Sequence, residues 1–288
     1  MTKKEIDSLI KLLDDPDTDV FKAIRIKLGQ MGSEVIPFLE KAWENSLDHL
    51  FQSRIENIIQ EIHQNDITTQ LKTWVDNGAS DLFKGAFLIN RFQYPDINEE
   101  ELLAKIEKIK NDIWLEINEN LTALEKVKII NHIFYELHNF SRNNTFQKNP
   151  NTHFLNQLLD SKKGSPISLS ILYAIIAQQL NIPVYGVSLP KNFILCYRDK
   201  ELEAFDDEQS NGVLFYINPF NKGIVFGKKE IQLFIKQQKL ENKKAYFQPC
   251  TNRETIINLI NSIIDYYESI ADQTKADSYR SLAKILYF

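Results

Sequence analysis

The stretch "GSPISLSILYAIIAQQLNIPV", residues 164–184, constrains this chain more than any other. Ser165 followed by Pro166 is a strong helix start, because a serine side chain accepts from an orphan backbone amide and proline at the first position gives up no hydrogen bond. Beyond it, from Leu169 to Ala177, apolar residues fall on nearly every side of the predicted helix. A helix with no polar face has to be buried all round, so the rest of the fold must be built around it. Its longest solid apolar run, Ile171 to Ala177, is far short of the roughly 20 residues that span a bilayer, and the surroundings are therefore protein.

The material for those surroundings changes along the chain. After residue 180 come "IPVYGVSL", "NFILCYRD", "VLFYINPF" and "GIVFG", short β-branched and aromatic runs split by Pro, Gly and Asn, as expected of neighbouring antiparallel strands. Ahead of the central helix, residues 66–160 read as mostly helical. "YPDINEEELLAKIEKIKNDIWLEI" has an acidic first turn and apolar positions at Leu102, Ile106, Ile109 and Ile113, and "LTALEKVKIINHIFYEL" has Thr122 and Glu125 at capping-box spacing. The Asn-rich "HNFSRNNTFQKNPNTHF" between them and the centre reads as a loop.

The two ends are helical. Residues 1–65 carry stripes at Ile6, Leu9, Ile10 and Leu13, at Val20, Ile24 and Leu28, and at Ile36, Leu39 and Trp43, then Phe51, Ile55, Ile58 and Ile62. "DDPD" at 14–17 stops the first helix, and Ser33 is placed to cap a later one. Two loosely alike segments about 30 residues apart suggest a HEAT-like helical pair, though a plain bundle fits nearly as well. Residues 241–288 close the chain as a helical pair. The fold class is α+β: a HEAT-like helical region (1–65), a helical lead-in (66–160), a core of one buried helix on a small antiparallel sheet (161–240), and the tail.

A formal charge of -5 gives no footprint for sequence-independent nucleic-acid binding, and Lys162, Lys163, Lys243 and Lys244 read as solvated faces. The N-terminal "MTKKEIDSLIKLLDDPD" lacks the apolar core and cleavage site of a secretory signal. Two cysteines, Cys196 and Cys250, cannot form a disulfide framework, and together these readings favour the cytoplasm. His49, His63, His132, His138 and His153 show no metal-ligand spacing, and neither "GxxxxGK" nor "GxGxxG" occurs. No metal, cofactor, nucleic acid or membrane is expected.

The run from "FLNQLLDSKKGSPISLSILYAIIAQQLNIPVYGVSLPKNFIL" through "INPFNKG", within residues 82–235, resembles the transglutaminase-like superfamily and more closely its SirB-type branch. The resemblance implies a papain-like core following a helical region and preceding tetratricopeptide-like helices. In active superfamily members a Cys at the helix start, a His on the next strand and an Asp on the one after carry out acyl transfer or amide hydrolysis. Counting back from "NIP", where active relatives have "GIP", the Cys position falls on Pro166. The branch's "PGHF" is "PKNF" here, placing Asn192 at the His, and its "DPF" becomes "INPF", placing Asn218 at the Asp.

Acyl transfer needs a nucleophile, a base and an orienter, whereas proline has no reactive atom and a neutral carboxamide takes no proton near pH 7. The leading expectation is a catalytically silent protein that binds a protein or peptide partner, with a cleft at Ser165, Ser168, Lys191, Asn192 and Asn218. Asn192 and Asn218 facing each other through complementary amides would preserve a former His–Asp geometry. One alternative is an acyl transferase or amidase using a displaced nucleophile, Ser165, Ser168 or Cys196, served by His153 within about 3 Å. Another is a helical scaffold with a purely structural core.

Overall fold

The helix that begins at Pro166 runs to Gln179, and every residue from Ile167 to Ala177 is buried. All-round apolarity has the consequence expected of it, with each of its fully buried Leu and Ile side chains contributing roughly 2 kcal/mol to the hydrophobic term. The computed structural model describes residues 2–190, 192–199 and 212–287. It divides into two units, Met1–Thr73 and Trp74–Phe288.

The first unit is built from α1 (Lys3–Lys11), α2 (Thr18–Gln30), α3 (Ile36–Glu44) and most of α4 (His49–Asp76). The predicted stripes meet in one core of Ile6, Ile10, Leu13, Ile24, Leu28, Ile36, Leu39, Ile55, Ile58 and Ile62, whereas Trp43, expected in the third stripe, is exposed and donates its indole N–H to Glu56. The "DDPD" stop is observed: α1 tightens into a 3-10 turn at Leu12–Asp14, and the Asp17 side chain caps α2 by accepting from Asp19 N. Ser33 caps nothing. It lies inside a 3-10 turn, Gly32–Val35, and α3 starts three residues later with a proline in its first turn.

The second unit continues with α5 (Leu82–Gln93), α6 (Glu99–Glu116), α7 (Ala123–Asn131), β1 (Ser141–Arg142), α8 (Leu155–Ser161), β2 (Lys163–Gly164) and the central helix, α9 (Pro166–Gln179). Then come β3 (Val184–Leu189), β4 (Asn192–Arg198), β5 (Val213–Asn218), β6 (Ile224–Phe226), α10 (Lys228–Gln237), α11 (Asn252–Ser269) and α12 (Gln273–Ile285). The expected capping box of α7 is present: Glu125 N donates to Thr122 Oγ1 and Thr122 N to Glu125 Oε2. Past Asn131 that helix widens into a π-helical turn, His132–Leu137, which its apolar stripe did not reveal.

The Asn-rich segment is more ordered than a loop. It holds β1, paired in parallel with β2, and two 3-10 turns, Phe146–Lys148 and Pro150–His153. Lys162, expected as a solvated charge, lays its Nζ 4.6 Å from the centroid of the Phe140 ring, which places the cation over a π face.

The four longer-range strands form an antiparallel sheet in the order β3-β4-β5-β6. Its two faces do different work. One packs Val187, Leu189, Ile194, Cys196 and Tyr216 against Ile231 and Ile235 of α10 and against Phe247. On the other face lie α9, which packs on β3 and β4, and α11, where Ser188 Oγ donates to Asn258 Oδ1 at 2.7 Å. Helices α5, α6 and α8 enclose α9 from its remaining sides. The result is the α+β arrangement expected: helical regions flanking a buried helix on a small antiparallel sheet.

Candidate functional site

Ser165 has extended backbone and caps α9, its Oγ accepting from Ser168 N at 3.3 Å. Ser168 answers: its Oγ accepts from Ser165 N at 3.0 Å and donates to Thr152 O at 2.7 Å, while Ser165 Oγ donates to Ser168 Oγ at 3.2 Å. Both side chains are fully buried. Gly164 seals the corner, since a Cβ there would stand 2.6 Å from Ser168 Oγ and 2.8 Å from Leu158 Cδ1. Every hydroxyl at this helix start is therefore spent on the backbone or on its neighbour, and neither serine lines a cleft. Pro166 between them is half-buried and offers no reactive atom.

The other two positions of the expected site come to the same end of the sheet. Ser170 Oγ, one turn into α9, lies 3.4 Å from Phe193 O at the start of β4, and the 3-10 turn Pro219–Asn221 after β5 packs on α9. Strand alternation nevertheless keeps the side chains apart. Asn192 pairs with Leu189 and shares a face with Ile194 and Cys196, and Asn218 shares a face with Tyr216. That is the α10 face, so Asn192 and Asn218 are across the sheet from α9.

Nor do the two carboxamides bond to each other. Asn192 Oδ1 accepts from Phe193 N at 2.9 Å, and Asn218 Oδ1 from Asn221 N at 3.3 Å, capping the turn that follows it. Lys191, the remaining member of the expected cleft, lies outside the described residues.

For the displaced-nucleophile alternative, no hydrogen bond joins His153 to Ser165, Ser168 or Cys196 among the described residues. His153 is buried beside Thr152, and burial lowers its pKa to about 4, so the ring is neutral. Its Nδ1 has no hydrogen-bond partner, and the serine hydroxyls are bonded elsewhere. Cys196 is fully buried in the α10-side core, where burial pushes the thiol well above its ordinary range. Among the described residues no three His, Cys, Asp or Glu side chains come together to hold a metal ion, and no helix is long and apolar enough to cross a membrane.

An open cavity of about 700 Å³ lies at the opposite end of α9, and its lining includes Ser80, Gln178, Asn181, Tyr185, Tyr197 and Asn252. Its volume is within the range of small-ligand and peptide side-chain sites. A smaller hollow of about 290 Å³ shares Ser80, Tyr185 and Asn252 with it. Gln178 ends the apolar run of α9, and Asn181, at φ +57°, turns the chain out of the helix toward β3. Gln178 and Asn252 bond to each other through their side-chain amides, with Nε2 to Oδ1 and Nδ2 to Oε1 both at 3.2 Å. Sequence reasoning missed this site because its lining residues come from six separate segments. The legible signal was the polar "QQLN" that follows eleven buried positions.

A family model described as "Transglutaminase-like superfamily" matches residues 100–261. The UPF0162 protein of Xylella fastidiosa (strain 9a5c) is 24% identical over 199 residues, 67% of this chain and 67% of that protein. The UPF0162 protein of Buchnera aphidicola subsp. Baizongia pistaciae is 28% identical over 170 residues, 59% and 57% of the two chains. F-box only protein 21 of Mus musculus is 31% identical over 112 residues, 38% of this chain and 17% of that protein. The chain covers 52 to 67% of the length of its UPF0162 relatives. No solved structure matches it.

Proposed function

The chain belongs to the transglutaminase-like superfamily, and from that premise we propose that it acts as a catalytically silent binding module for a protein or peptide partner. Its UPF0162 relatives are consistent with the SirB-type branch. The observation that carries the proposal is the start of α9. The position where active members hold their nucleophile is Pro166, and the hydroxyls on either side of it are buried and consumed by a reciprocal cap. A hydroxyl that already donates to a backbone carbonyl, without a base in reach, is a poor nucleophile.

Binding is assigned to the other end of the same helix. The cavity at Gln178, Tyr185, Tyr197 and Asn252 combines aromatic faces with carboxamides, the mixture that peptide-reading surfaces favour. The likeness to F-box only protein 21 covers a small part of that longer chain, as a module joined to other segments would. Helix α11, which contributes Asn252 and packs on α12, forms part of its frame. The free thiols of Cys196 and Cys250 suit work in the cytoplasm.

Two measurements test the proposal. Purified protein is expected to show no amidase or amine-transfer turnover, with or without thiol; turnover abolished by Ser165→Ala, Ser168→Ala or Cys196→Ala would overturn it. In a displayed random-peptide selection, retained peptides are expected to lose binding when Tyr185 is changed to Ala. Selection of no peptide at all would count against the binding half.

A further inference from the structure

The chemistry of the cavity's amide wall specifies what it takes. Gln178 Nε2 donates to Val184 O at 3.1 Å and to Asn252 Oδ1 at 3.2 Å, while Asn252 Nδ2 donates to Ser80 O at 2.7 Å and to Gln178 Oε1 at 3.2 Å. The two main-chain carbonyls fix which way each carboxamide points, because only an NH₂ group can face them. All four N–H donors of the pair are thereby used inside the protein. Each carboxamide oxygen has two lone pairs and accepts one bond from the other residue, so what remains for a ligand is acceptor capacity alone.

Three further features favour a cation among possible donors. The cavity lies at the C-terminal end of α9, a helix of 14 residues with no basic residue in its last turn, so the helix itself sets no positive charge against the negative end of its dipole. Tyr185, half-buried on the edge strand β3, lines the same space and can supply a π face to a cation, whereas Tyr197 lies across the sheet from it and packs on Phe215. Of the charged residues in the lining, Arg198 stands next to the acidic Asp199 in sequence, and both already have interactions of their own.

Resting on the binding reading above, we infer that this cavity receives the guanidinium of an arginine side chain carried by a partner polypeptide. A planar group that is all donor matches two neighbouring carbonyl oxygens in a fixed fork and stacks flat on tyrosine, whereas an ammonium meets either only as a point charge.

The test titrates the full chain with acetyl-Gly-Xaa-Gly-amide peptides in which Xaa is Arg, citrulline, Lys or Glu, with calorimetry for affinity and backbone amide NMR shifts for location. The arginine peptide should shift residues 178–185 and bind about ten-fold more tightly than its neutral citrulline counterpart, as a charge-assisted contact does. Gln178→Met should weaken it. Asn181→Asp, at an exposed rim position, should strengthen it and covers the case in which the Gln178 variant fails to fold.

Citrulline or Glu peptides binding this cavity as tightly as arginine would overturn the cation inference while leaving the binding reading in place. Equal binding of the lysine peptide would overturn the guanidinium assignment. Shifts at the cavity from none of the four would overturn the inference, and only an empty peptide selection would remove the binding reading with it.

Discussion

The hydroxyl of Tyr173, buried in the middle of α9, donates to Asn131 Oδ1 at 3.0 Å, and the same carboxamide donates through Nδ2 to Gly223 O at 2.8 Å. One asparagine thus ties the central helix to the β5–β6 hairpin. Tyr173→Phe removes the donor and leaves Asn131 Oδ1 short of a partner in a largely dry site, at an expected cost of about 1–2 kcal/mol in urea unfolding. Gly223→Ala should cost more, since φ there is +66° and a Cβ would overlap the Asn131 carboxamide. Equal stability of the two variants and the parent would show that this tie carries no weight.

Ser165→Ala deletes a cap. The expected loss is about 1–2 kcal/mol of unfolding free energy, the usual range for an N-cap serine. Peptide binding at the far end of α9 should be unchanged in that variant at temperatures well below its midpoint. A midpoint identical to the parent's would contradict the reciprocal cap.

His153 makes stability depend on pH in a definite window. Its folded pKa, held near 4 by burial, is below the ordinary value of 6.5, so the unfolded chain binds the extra proton first. The stabilisation is complete above about pH 6.5 and is lost as pH falls from there toward 4, in total about 3 kcal/mol. His153→Asn removes the group, and the difference in unfolding free energy between parent and variant should shrink by that order between pH 7 and pH 4. A difference independent of pH would show that the imidazole is not buried neutral.

The two thiols should separate by reactivity. Cys196 is enclosed in the α10-side core with its thiol pushed up by burial, and Cys250 is less enclosed, with its own pushed up to about 11. At pH 8 maleimide is expected to modify Cys250 slowly and Cys196 only on unfolding, read by peptide mass spectrometry. Rapid labelling of Cys196 in native protein would reopen a nucleophilic role for it.

Much of the fold was legible because its signals are local. The Ser165–Pro166 start, the Thr122–Glu125 box and the apolar stripes of the first unit all act within a turn or two of chain, and each is seen where expected apart from the exposed Trp43. Ser33 misled because a capping residue is recognised only once the helix start is known, and Pro37 moved that start onward. The site was less legible. Motif positions select Asn192 and Asn218, but which face of the sheet each side chain takes is set by strand register, which the motifs do not carry. The Gln178–Asn252 pair spans 74 positions in sequence and leaves no local pattern at all.

The placement of Asn192 and Asn218 on the α10 face limits what substitution at these positions can do. Reinstalling a thiol at 166, an imidazole at 192 and a carboxylate at 218 would set the second and third groups behind the sheet from the first. An acyl-transfer site at these positions would therefore need a shift of strand phase as well as three new side chains.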